Sequence, residues 1–597
     1  KNVYFKFILE IISKTIKEEK DMFNYIKSLF KDLFSESQDN DYDFSLDTTT
    51  NPIINQENPN SDALTLNNQT INNDKPKQVF PVLSLNLEYI KTCYNSMINS
   101  DIQIREFILT ARNKQYKAFL VYIDGMINQD VMNNFILKPL MLKNTANSYD
   151  GNQNRIISEV VTNNITVRKV KKFDIVEYIS DCLLPQNTLN KTNDFNELIS
   201  GINSGNCALF IDSIDVAFDI EVKGFEKRGL SSPNNEIIIR GSQVGFTENL
   251  RTNTSLLRRY INNENLVIES VELGKISKTP CAICYLKNIA NSDLVAEVKY
   301  RVNNLNIDYI ISSGQLEQLI QDDSRSSLPQ LLSTERPDRA SNMIFEGRVV
   351  IIVNGSPYVL IAPGILMDFI NSPEDYNIKH QYSNFIRILR FVALFVAVLL
   401  PGLYMAIVNF HQELIPTELL FAIIASRESV PFPIIFEILV MEFSFELIRE
   451  ASVRVPNPIG PTLGIVGALV LGQAAVEASI VSPILIIIVS LTGICSFSIP
   501  DISLGFHARI TRFIYIILGA ITGFLGIASA MVIHLMFLCS LKSFGVSYIE
   551  PNIMNNTNFG KGLILKAAWK RENRASFLKT KRPKEQDDIS MSWKYKS

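Results

Sequence analysis

The chain has 597 residues, with 58 basic and 61 acidic side chains, a formal net charge of −3 and 46% hydrophobic residues. That balance excludes the basic excess of a nucleic-acid binder; seven scattered Cys exclude a disulfide framework, and four His, the first at His380, exclude histidine chemistry in the front half. A mean hydropathy of +0.10 in a chain so rich in Asn, Lys and Glu averages a polar front and an apolar back.

The first apolar run, FKFILEII, is interrupted by Lys6 and Glu10 and lacks a small-residue cleavage site, so it reads as an amphipathic surface helix and not as a signal peptide. From Ser35 to Lys77 the composition is dominated by Asn, Asp, Ser, Thr and Gln. Such a stretch buries too little apolar surface to offset ordering costs of about 1–2 kcal/mol per residue, and a disordered linker is expected. Residues 1–79 therefore form an N-terminal extension. Folded chain is expected from Phe80: AFLVYIDG (118–125) as a strand and VMNNFILKPLML (131–142) as a helix. After Gly201, CALFIDS, VAFDIEVK, NEIIIRG, LVIESVEL and AICYLK read as strands, ENLRTNTSLLRRYI and DLVAEVKYRVNNL as helices. GRVVIIVNG and SPYVLIAP read as a hairpin around Asn354-Gly355. This mixture predicts a two-lobed α/β or α+β soluble region, with lobes over 80–200 and 201–383.

Composition changes abruptly after Tyr382. Phe391–Phe410, Thr462–Ile480, Pro483–Phe497 and Phe513–Leu538 are apolar, and a bilayer needs about 20 such residues. Four in succession predict an all-α polytopic membrane domain over 384–545, with four clear spans and room for five or six. Between the first two lies PFPIIFEILVMEFSFELIRE (431–450), which carries Glu437, Glu442, Glu446, Arg449 and Glu450. Glu442, Glu446 and Glu450 share one helical face. Carboxylates on lipid are costly, so this face must meet water, a partner or Arg. The segment fits a span, a re-entrant turn or an interfacial helix. The tail over 546–597 is basic, and the positive-inside rule places it in the cytosol together with the soluble lobes.

Cys281 and Cys284 have CxxC spacing, but in a strand residues three apart diverge, so they read as core thiols and not as a zinc or redox site. Glu335, Arg336, Pro337 and Asp338 read as a capped helix start held by Arg–carboxylate bonds. No phosphate loop or nucleophile elbow is present in the sequence, and neither an enzyme nor a cofactor is expected. Gly464, Ala468 and Gly472, and again Gly519 and Gly523, recur every four residues, a spacing that lets membrane helices approach and predicts a homo-oligomer. Gln473 and Glu477 share a face of the first of those helices, and a Glu in an apolar span is a functional candidate.

The segment FELIREASVRVPNPIGPTLGIVGALVLGQAAVEASIVSP (445–483), preceded by Pro431-Phe432-Pro433 and Glu437, resembles the A subunit of the GerA family of spore germinant receptors. GFTENLRTNTSLLRR (245–259), TERPDRASNMIFEGRVVIIVNGSPYVLIAP (334–363), LLPGLYMAIVNFHQELIPTELL (399–420), SFGVSYIEP (543–551), Trp569 and Arg582-Pro583 carry the likeness further, from about residue 80 to about 585. In the soluble half the signature falls on Arg240, Gly241, Gly245, Phe246, Glu248, Asn249, Arg251, Asn253 and the 335–338 cluster. The chain departs from it at Ser242-Gln243-Val244, where the family usually carries a Lys or Arg followed by Glu, so a salt bridge centred on that Glu is absent. The resemblance implies a spore inner-membrane protein working with a transporter-like nutrient-binding B subunit and a lipoprotein C subunit. It also implies a nutrient-gated, oligomeric cation channel, for which Gln473, Glu477 and the 437–450 carboxylates are pore candidates. Within the family, the alternative is an accessory paralogue encoded with the dipicolinate-channel genes. Outside it, the alternative is a solute transporter, although the inverted repeats expected of one are not evident.

Overall fold

The computed structural model describes residues 44–46, 78–111, 114–141, 174–186, 188–224, 232–233, 236, 238–454, 472–549, 564–571 and 573–586. The expected N-terminal helix, the linker apart from 44–46, and most of the span expected over Thr462–Ile480, with Gly464 and Ala468, lie outside these residues.

Among the described residues, the N-terminal half, expected from the sequence to be soluble, contains two five-stranded antiparallel sheets of one topology. Helix α1 (Leu83–Cys93) precedes the hairpin β1 (Ile102–Ala111) and β2 (Lys114–Ile123); β3 (Leu189–Thr192), α2 (Phe195–Asn203), β4 (Cys207–Ile211) and β5 (Ala217–Ile220) follow, giving the order β1-β2-β4-β5-β3. Within the described parts of the connection lie a π-helical turn over Met132–Leu137, where a helix is expected, and a second over Ile179–Leu183. The second sheet repeats the plan. Helix α3 (Leu250–Tyr260) precedes β6 (Leu266–Leu273) and β7 (Thr279–Leu286), then come α4 (Ser292–Asn303), α5 (Ser313–Ile320), β8 (Leu332–Thr334), α6 (Pro337–Glu346), β9 (Val349–Val353) and β10 (Val359–Ala362). Its order is β6-β7-β9-β10-β8. Counted within each sheet, both orders read 1-2-4-5-3, with a helix before the first hairpin and another between strands three and four. The soluble half is thus a duplicated unit. Its central strands β4 and β9 are buried on both faces, which is why CALFI and VVIIV are unbroken apolar runs.

Two expectations are corrected here. Because β4 and β5 complete the first sheet, the division between lobes falls between Ile220 and Leu266 and not at residue 200. NEIIIRG is not a strand at its described residues. Its local groups are used otherwise: the Glu236 carbonyl accepts from Arg336 Nη1 at 3.0 Å, and the Glu236 carboxylate takes Arg339 Nη1 at 2.5 Å. The hairpin at Asn354-Gly355 is present; Gly355 has φ +89°, and Asn354 Oδ1 accepts from the Leu250 amide at 3.1 Å.

A buried clamp joins the lobes. Arg258 on α3 donates to Asp101 Oδ2 and Oδ1 at 2.8 and 2.9 Å and to Asn99 Oδ1 at 3.2 Å, while Asn99 Nδ2 donates to the Leu266 carbonyl. A bidentate Arg–carboxylate pair of this kind fixes orientation as well as distance.

After the short α7 (Leu366–Ile370) the chain becomes helical: α8 (His380–Phe410), α9 (Thr417–Arg427), α10 (Ile434–Arg454), α11 (Pro483–Phe497), α12 (Ile502–Thr522) and α13 (Phe524–Ser540), then the small ladder β11 (Lys542–Ser543) and β12 (Val546–Ser547). Among the described residues, α8 and α12 are long and apolar enough to cross a bilayer; α11 and α13 are apolar but shorter. The expected single span Phe513–Leu538 is corrected to parts of two helices. Gly523 (φ +64°) separates them, a backbone state that side-chain-bearing residues rarely adopt. The 431–450 segment forms most of α10, one continuous helix of 21 residues.

The soluble half holds one end of this bundle. Asp375, fully buried, accepts from Arg390 of α8 with both oxygens at 3.0 and 2.8 Å. Ser327 Oγ lies 2.7 Å from His507 Nδ1 on α12, and beyond α13 Ser543 Oγ donates to the Gln330 carbonyl at 2.6 Å. At the other end His411, just past α8, packs on Phe524 at 4.5 Å between ring centroids. Residues 564–586 return to the soluble half: Arg574 Nε donates to the Phe345 carbonyl at 2.7 Å and the Lys581 amide to that of Ile289 at 3.0 Å.

Candidate functional site

Two sets of charged residues compete for the role, and their surroundings separate them. In the soluble half the signature residues are occupied with holding the fold. Asn249 caps α3, its Oδ1 accepting from the Arg251 and Thr252 amides. Asn253, fully buried, binds both the amide and the carbonyl of Thr247. The Phe246 amide donates to the Glu335 carbonyl at 2.7 Å, and the Glu248 carbonyl accepts from Gly355. Arg251 pairs with Asp124 across the lobes. Arg240 is exposed, Gly241 sits at φ +150°, where an added Cβ would strike Asn377, and Gly245 is buried. Arg336, fully buried, donates to the Ser242 carbonyl at 2.7 Å and to Asp338 Oδ2 at 2.9 Å, and Pro337 opens α6. The cluster is a helix start locked by a guanidinium. Cys281 and Cys284 are buried in β7, and burial pushes the Cys281 thiol up to about 12, so it stays protonated and unreactive near neutrality.

The second set lies in the helical half. Glu437 accepts from Arg427 of α9 at 3.3 Å and from the Ser482 amide at 3.1 Å. Glu442 accepts from Arg512 Nη1 at 2.5 Å, both side chains almost fully buried; Arg512 Nε also donates to the Ala397 carbonyl. Glu446 bridges Arg449 at 3.3 Å and Arg509 at 3.0 Å. Arg449 also lies over the Phe497 ring at 4.6 Å, and Glu450 is exposed one turn before the end of α10. Glu437, Glu442 and Glu446 are thus each paired with arginines of α9, α10 or α12, which is how a charged helix packs in an apolar bundle. Arg427, Arg509 and Arg512 are the partners of these carboxylates, which the reading of single segments misses. The signal was available: two Arg three residues apart in the apolar α12 need acidic partners.

Gln473 and Glu477 are placed differently. Gln473 Nε2 donates to Glu477 Oε1 at 3.0 Å, and both side chains are exposed on the outside of the helical half. Gly472 is buried, with Ile486 3.8 Å from the position of an added Cβ. Gly519 does not continue through Gly523 as one stripe, since the helix ends between them. A Cβ on Gly519 would come 2.6 Å from the Gly402 carbonyl, so Gly519 serves the α8–α12 crossing inside one chain.

Between α8, α12 and α13 lies a cavity of about 110 Å³ walled by Phe391, Phe395 and Leu535, with His507 Nε2 at 3.2 Å from His534 Nε2. Among the described residues no group of three or more His, Cys, Asp or Glu is arranged to hold a metal.

A repeated α/β plan joined to a helical bundle with two bilayer-length helices and an internal ion-pair ladder defines the class: an α/β half followed by an apolar helical half. The chain belongs to the Bacillus/Clostridium GerA spore germination protein family, whose model matches residues 88–577. It is similar to spore germination protein KA of Bacillus subtilis (36% identity over 83% of this chain and 86% of that one) and to spore germination protein A1 of the same organism (41% over 62% and 75%). Spore germination protein GerLA of Bacillus cereus is 34% identical over 76% and 87%. The N-terminal domain of the A subunit of the Bacillus megaterium spore germinant receptor GerK3 matches with 30% identity and a TM-score of 0.34, covering 48% of this chain and 97% of that one. Membership of this family places the chain in spore germination.

Proposed function

We propose that the chain is the membrane-embedded subunit of a nutrient germinant receptor and forms, with further copies of itself, a cation path that opens when nutrient is sensed. The exposed Gln473–Glu477 pair carries this reading. A carboxylate on the outside of an apolar bundle is costly against lipid, so it belongs against water or another subunit. Repeated around an axis, such acidic side chains favour cations.

The contacts at the helix ends support a six-pass arrangement. α8 and α12 lead away from the soluble half. α10 leads back, since Glu437 sits with Arg427 and Ser482 at one end and Glu446 with Arg509 at the other. α11 and α13 also lead back, and the sixth pass of this reading is the span expected from the sequence over Thr462–Ile480. An even count puts the soluble lobes and the basic tail on one side, the spore cytosol, with the bundle in the inner membrane. A transporter-like B subunit and a lipoprotein C subunit complete the receptor in this reading. Purified in mild detergent, the chain should run as a defined oligomer by light scattering. A mass of one 67.5 kDa protomer after subtraction of detergent would overturn the oligomeric path.

A further inference from the structure

Residues 564–571 attach beside the start of α8 before the chain continues along the soluble half. Asn384, in the second turn of α8, grips Leu565 from both sides: Oδ1 accepts from its amide at 2.6 Å and Nδ2 donates to its carbonyl at 3.1 Å. Four residues on, Trp569 meets His380 edge-on at 5.5 Å, and Arg571 then lies over the Tyr376 ring. Leu565 and Ala567 are buried, whereas Ile564, Lys566, Trp569 and Lys570 face outward.

The level at which this happens is set by α8. From Tyr382 through Phe385, Ile388, Leu389 and Val392 its exposed face is apolar, because Arg390 turns inward onto Asp375 and Arg387 is fully buried. A face of that kind begins where lipid begins, and Asn384 lies between its first two residues. An exposed Trp and Ile with two outward Lys at that level match the composition of a membrane interface, where aromatic rings sit among headgroups and lysines reach phosphate.

We propose that residues 564–570 form an interfacial anchor that binds anionic phospholipid headgroups through Lys566 and Lys570, with Trp569 and Ile564 seated at the acyl boundary. This rests on the reading that α8 spans the membrane. The anchor fastens the joint between soluble half and bundle to the lipid, so its grip depends on bilayer charge.

The chain has two tryptophans, Trp569 and Trp593, so Trp593→Phe leaves Trp569 as sole reporter. The full-length variant is reconstituted in phosphatidylcholine vesicles with a minor share of phosphatidylglycerol, bromine being carried near the headgroup of either one lipid or the other. Brominated phosphatidylglycerol should quench Trp569 as if enriched there by roughly five-fold per lysine. Lys566→Gln with Lys570→Gln should bring the two lipids level without loss of protein. Equal quenching by both lipids in the parent, or none in protein that resists alkaline carbonate, overturns the proposal alone. Extraction by carbonate overturns the spanning reading and the anchor with it.

Discussion

Glu442 and Arg512 illustrate what a single residue can and cannot reveal. The sequence shows that a Glu at this place needs a partner, but not that the partner lies 70 residues on, because that pairing depends on how α10 and α12 pack. Removing one member leaves the other charge buried and unpaired, a loss of about 3–5 kcal/mol. Arg512→Ala should therefore lower the melting temperature of the detergent-solubilised protein sharply, and Glu442→Gln with Arg512→Met should restore most of it; an unchanged melting curve for Arg512→Ala would contradict the pairing. Glu317 in the soluble half adds a pH dependence. Burial, and after it the charge of Asp501, raise its carboxyl from 4.5 to about 7. The unfolded chain ionises at lower pH, so stability declines as pH rises from about 4.5 to about 7 and the full penalty persists above. Glu317→Gln cannot ionise; its melting temperature should exceed wild type above neutrality and converge with it towards pH 4.5. A constant offset across that window would rule the assignment out.

At the scale of elements, runs with one clear period were legible. The hairpin at Asn354-Gly355, the helix at 250–260 and the buried strands β4, β6, β7 and β9 all stand where their patterns put them. NEIIIRG failed because side chains from α6 claim its groups, and no pattern within seven residues encodes that. The break at Gly523 failed for a related reason: apolar residues run straight through it, and only the backbone angle marks it. Small residues in apolar helices also carry an ambiguity, since the same spacing serves contacts within a chain and between chains. Here α8 and α12 cross with Gly402 and Gly519 backbone to backbone. Gly519→Leu should disrupt the protomer itself, lowering the yield of folded monomer and oligomer alike, as overpacking costs about 1–3 kcal/mol or more. A well-folded monomer that merely fails to associate would show that the glycine serves the interface.

For the whole molecule, the division into a polar front and an apolar back was plain from composition, and the family from motifs that span the chain. The duplication of the soluble half was hidden, because the two sheets share topology and not residues. The opposite burial of two carboxylate sets was hidden too: from sequence, Glu437, Glu442, Glu446 and Glu477 look alike, whereas packing ties the first three to arginines and leaves Glu477 outward with Gln473. The proposed role of Glu477 rests on that contrast. It is tested most directly by germinant-triggered potassium release from spores carrying Glu477→Gln, which keeps shape and hydrogen bonding but removes charge. Slowed release is expected, at wild-type levels of an intact, correctly assembled protein. Release at the wild-type rate would take Glu477 out of the proposed ion path.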